Sequence, residues 1–223
     1  MKNLTASDRS ALIRLAASLP VGDENRRAIL AGLSQAKVAA GDVNVPGKHI
    51  FDRAKVYGGA WVTGNAKVYG YADVSDDAEV SGNAQVYDRA AVYDSAKVYD
   101  SAKVYGTARV YEDAQVGANA QVFGNADVYG HAEVYEDAQV TGNAKVYGYA
   151  VVTDNAVVTD NAVVYGADVT DDAKVFGNAK VSGNAQVGGN AEIGGTAVIL
   201  GGKWDGSEGP ITEGKWKGPG IPA

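Results

Sequence analysis

The 223-residue chain has no cysteine, so neither a disulfide nor a thiolate metal site can contribute to its fold or its chemistry. Large apolar side chains are scarce, with three Phe, three Trp and one Met. A core of the usual Leu/Phe kind is therefore not provided for. No apolar run approaches the ~18 residues needed to span a membrane. The start, Met1 to Leu19, carries Arg14 inside its only apolar stretch, which argues against a secretory signal and for cytoplasmic synthesis with later incorporation into a particle. A basic face is also missing. The net charge is −7, so a nucleic-acid partner is not expected. Residues 1–40 carry six basic and three acidic groups and the rest of the chain is net −10, so the two regions are physically different.

What the chain does have is glycine, alanine, valine, tyrosine and small polar residues in excess, and composition of this bias means either disorder or a periodic fold. The period is six. Alanine recurs every sixth residue from Ala54 to Ala162, one residue is lost at Tyr165-Gly166-Ala167, and the frame resumes to Ala197, which makes 25 hexads. Two residues after each alanine stands Val, except for Ile193 and Ile199; Ile50 lies in the same register and opens a first partial coil. Each hexad offers one short strand, x-Val-x, and one turn drawn from Gly-Asn, Asp-Asn, Asp-Ser, Asp-Asp or Glu-Asp. Alternation along the strand sends Val to one side and its neighbours to the other. Those neighbours are mostly Lys, Gln, Asp, Glu, Tyr, Thr and Ser, so Val is the inward residue and Ala fits inside the corner. A single hexad cannot bury its one Val; stacked coils can.

The Val-x-x-x-Ala-x pattern resembles the hexapeptide-repeat superfamily, in the V-Y-G-N-A style met in bacterial and phage proteins. That resemblance implies an all-β solenoid, a left-handed triangular β-helix with three hexads per coil. Twenty-five hexads then give about eight coils and a prism ~40 Å long at the ~4.8 Å strand spacing. The domain reading is a helical docking or capping hairpin over 1–40, a linker and partial coil over 41–53, the β-helix over 54–200 and an irregular C-terminal cap over 201–223. The hairpin consists of an amphipathic helix over 4–19, with Ser7 as its N-cap and Pro20 as its stop, and a second from Asp23 to Ala36. In the C-terminal segment, Trp204 and Trp216 each follow Gly-Lys.

With 18 residues per coil, outward side chains 18 apart share a face. Phe51, Tyr69, Tyr87, Tyr105 and Phe123 form one aromatic ladder, and Tyr93, Tyr111, Tyr129, Tyr147 and Tyr165 a second. The third face is mixed, with Thr63, Ser81, Tyr99, Gly117, Tyr135 and Thr153. The ladders read either as in-face stacking or as an interface between copies. Stacked corners gather acids, among them Asp76, Asp94 and Glu112 on one edge and Glu136, Asp154 and Asp171 on another. Asp and Asn are good turn formers, and no calcium-loop motif is present, so no metal is expected.

Members of this superfamily transfer acyl groups from coenzyme A or acyl carrier protein, using a His base beside an intersubunit groove. The matching candidates are His131, in a Gly130-His131 corner, and Asp113 one coil below it. No extended loop interrupts the hexads to build a substrate pocket. The zinc enzymes of this fold need three His ligands, and the chain has two histidines. The expected function is therefore a non-catalytic structural or adaptor protein without a cofactor. It would be a rigid prism forming a homo-oligomer, a trimer by preference, with a protein partner for residues 1–40. An acyltransferase using His131 is the alternative, and a filament former the third reading.

Overall fold

The computed structural model describes residues 49–223; the helical hairpin expected over 1–40 and most of the linker lie outside the described residues. Each hexad contributes one short strand, as in Lys67–Val68 or Gln85–Val86, and a two-residue corner. Three strands make a coil, so a strand pairs in parallel with the one 18 residues on, Lys67 with Gln85 and Val68 with Val86.

The result is an all-β solenoid with three parallel sheets. The first sheet has nine strands, from His49–Ile50 through Lys67–Val68 to Glu192–Ile193. The second starts at Lys55–Val56 and has eleven, and the third runs in nine from Trp61–Val62 to Lys203–Trp204. The nine strands of the first and third sheets correspond to about nine turns, against the eight counted from hexads. The difference lies mainly at the C-terminal end, with His49–Ile50 added at the other. Lys203–Trp204 pairs in parallel with Gln186–Val187, Ile211 bridges Ile193, and Trp216 pairs with Ile199. Residues 203–216 thus continue all three sheets for a further turn without any Ala-x-Val hexad.

Val and Ala alternate through the interior, and nearly every one from Val62 to Ile199 is at 0–2% exposure. Removing one Val side chain from water contributes roughly 1.5–3 kcal/mol. That is small, and the long repetition compensates for it. Toward the C-terminal end the inward residue grows from Val187 to Ile193, Ile199 and Trp204, and Trp204 is 1% exposed. Its indole N–H donates to the Gly201 carbonyl at 2.8 Å, and its ring meets Trp216 edge-on at 6.4 Å. Ile221–Pro222 then pairs antiparallel with Lys215–Gly218 and covers that strand's free edge.

Each corner is a four-residue turn. In Thr63-Gly64-Asn65-Ala66, for example, the Ala66 N–H donates to the Thr63 carbonyl. The first corner residue takes positive φ, as in Gly82 at 69°, where an added Cβ would lie 2.8 Å from backbone atoms of Asp100. Aspartate replaces glycine in many corners at nearly the same φ, 58° at Asp76 and 57° at Asp94. The single lost residue at Gly166 is absorbed locally. Lys145–Tyr147 and Val163–Tyr165 lengthen to three residues, and the Gly166 N–H donates to the Tyr147 carbonyl at 3.3 Å. Beyond it the register is 17 between neighbouring coils until the frame is restored, as between Val151 and Asp168.

Candidate functional site

The aromatic columns form as the 18-residue period requires. Tyr69, Tyr87, Tyr105 and Phe123 stack with centroids 4.8–4.9 Å apart and planes within 2°. Phe51 stands in the same register one coil below, 48% exposed. On the second face Tyr93, Tyr111, Tyr129 and Tyr147 stack at 4.7–5.0 Å and within 4°. The run ends at Tyr165, whose ring is tilted 33° to that of Tyr147 where the missing residue shifts the corner. Offset-stacked pairs of this kind are worth about 0.5–1.5 kcal/mol each beyond burial. Because ring lies on ring, each ladder shows edges and hydroxyls to solvent. A flat platform for stacking a sugar is absent along both columns.

Desolvation raises the hydroxyls of Tyr69, Tyr87 and Tyr105 in the first ladder and of Tyr93, Tyr111 and Tyr129 in the second. Burial, aided by the neighbouring Tyr105, Tyr69 and Asp88, pushes Tyr87 up to about 12. Burial together with Asp127 and the flanking tyrosines pushes Tyr111 up to about 12 as well. Two hydroxyls are tied down: Tyr69 donates to Gln85 Oε1 at 3.2 Å and Tyr105 to Gln121 Oε1 at 3.3 Å. On the second face Arg109 grips Asp127 with two bonds of 2.7 and 2.8 Å and sits 5.8 Å from the Tyr111 ring centroid. Asp127 is 7% exposed, and the guanidinium compensates its burial.

The corner acids have a use that spacing alone does not reveal. Asp94 accepts the N–H of Glu112 one coil on, and Asp154 that of Asp171. Asp171 accepts from Gly189 at 2.7 Å, and Asp52, Asp88 and Asp160 likewise cap glycine N–H groups. A left-handed corner residue aims its carboxylate along the stack, where the next corner's N–H would otherwise face water. The second corner position makes amide ladders, Asn125 to Asn143 to Asn161 to Asn178, at 3.0–3.2 Å. Among the described residues no three His, Asp or Glu side chains gather as a metal site.

His131 and Asp113 do come together. His131 Nδ1 is 3.6 Å from Asp113 Oδ2, and the imidazole stacks on Tyr149 at 4.8 Å. Both members of the pair are more than half exposed. They border an open depression of about 590 Å³ whose other lining groups include Ser95, Lys97, Gln115 and Glu133. The separation exceeds hydrogen-bond reach for base and orienter. Tyr149 is 74% exposed: at the 17-residue register of the shortened coil the position above it is Gly166, which has no side chain to cover the ring.

No helix among the described residues is long and apolar enough to cross a membrane. Compared with known proteins, the chain matches no family model, no curated protein and no solved structure.

Proposed function

We propose that this chain is a non-catalytic structural or adaptor protein of a phage or bacterial assembly, a rigid prism of the hexapeptide-repeat type that oligomerises or docks to its neighbours. The supporting observation is that, between Lys55 and Ile199, every outward side chain stands on a strand or a short corner. No excursion of the chain there encloses a substrate. The outward chemistry is spent within the stack: tyrosine on tyrosine, asparagine on asparagine, and aspartate on the next coil's N–H.

The acyltransferase reading has one observation in its favour, the His131–Asp113 pair beside its depression. Acyl-coenzyme A offered with amine and hydroxyl acceptors separates the two. The scaffold reading expects no thiol release above the protein-free rate. Release by the native chain that is lost in His131→Ala overturns it. A filament former needs both ends open to pairing, and Ile221–Pro222 covers a strand edge at one of them.

A further inference from the structure

The first face is distinguished by a missing charge. Residues 49–223 contain thirteen basic and twenty-three acidic side chains. Yet from Lys67 to Lys174 the outward strand positions of the first sheet hold no carboxylate; they include Lys67, Gln85, Lys103, Gln121 and Gln139. Over the same span the second sheet carries Asp73 and Asp127 outward, and the third carries Glu79, Glu133 and Asp168 together with one base, Lys97.

The same face is also ordered in advance. Its ladder rings lie within 2° of parallel, and Tyr69 and Tyr105 are bonded to Gln85 and Gln121. Burying such a surface costs little side-chain freedom. Seven coils at ~4.8 Å and a face ~16 Å wide offer roughly 500–600 Å² per partner, which puts the pair near the lower limit of specific interfaces at ~1,200 Å².

We infer that the first face is the contact surface for a second copy of this chain, which presents its acidic third face. This rests on the scaffold reading. From Lys67 to Lys174 the first face carries three lysines, and the third face three acids with Lys97. The two faces are therefore opposite in net sign, and both are set out on one rung spacing, which a second copy shares by construction. With coils level, Glu79 of that copy comes within a coil of Lys67, and Asp168 within a coil of Lys174. Such a contact joins different faces, so it builds a ring where the rotation between copies closes and an open array where it does not.

Light scattering on the full chain tests it. The native protein is expected above the 23.0 kDa of one chain. Lys67→Glu with Lys103→Glu should reduce the mass to that of one chain. Lys145→Glu with Lys180→Glu, exposed on the second face and equal in charge change, should leave it unaltered. A native protein of single-chain mass, or equal dissociation by both pairs, overturns the inference. Neither result touches the thiol-release test, so the scaffold reading stands or falls separately.

Discussion

At the scale of the residue, the corner sets the strictest demand, because its first position lies at positive φ. Glycine meets it without strain, and aspartate meets it while capping the next coil. Ala118, at φ 52°, has no side-chain group with which to do so. A left-handed alanine costs about 1–2 kcal/mol, part of which glycine returns as unfolded-state entropy. Ala118→Gly is therefore expected to stabilise by about 0.5–1 kcal/mol, seen as a melting temperature higher by roughly 1–3 °C. No gain would show that the corner is not strained there. The inward Val and corner Ala were legible from the sequence because their chemistry differs so sharply from that of their neighbours. The carboxylate caps were not, since hexad spacing places Asp94 over Glu112 without saying which atom meets which.

At the scale of the element, the ladders couple stability to alkaline pH. Tyr87 and Tyr111 are raised to about 12 in the folded chain, chiefly by burial, whereas an unfolded tyrosine ionises near ~10. A folded value above the unfolded one means the unfolded chain loses its protons first. The stabilisation is complete below ~10 and disappears as pH rises through 12. The melting temperature should fall across that window, and Tyr87→Phe should reduce, with Tyr111 remaining, the latest-ionising part of the tyrosinate absorbance. A flat profile between 10 and 12 would contradict the burial of these hydroxyls. Ladder membership followed directly from the 18-residue spacing. The tilt of Tyr165 did not, because it depends on how the chain distributes one missing residue between two strands.

At the scale of the molecule, each coil touches only its neighbours, so stability is a sum along the stack and the ends matter. The last turn escaped the hexad pattern because Trp204, Ile211 and Trp216 replace Val at inward positions, with glycine-rich connections between them. Their distances of 17 and 18 residues from Val187, Ile193 and Ile199 were the available signal. Ending the chain at Leu200 should expose the last strands of all three sheets and cause concentration-dependent aggregation. A truncated chain that stays dispersed by light scattering would show the turn to be dispensable. The His131–Asp113 neighbourhood was readable as a pairing of positions. Its openness was not, since that depends on the 17-residue register, which sets Gly166 above Tyr149.

Amide hydrogen exchange resolved along the chain asks whether residues 54–199 act as one rigid prism. Slow exchange is expected to continue from Lys55 to Ile199 without a break at Gly166, because Asn184 N–H to Gly166 O and Gly166 N–H to Tyr147 O carry the stack across the missing residue. Two separately protected blocks meeting at Gly166 would contradict it, and would make the molecule a hinged pair of shorter prisms.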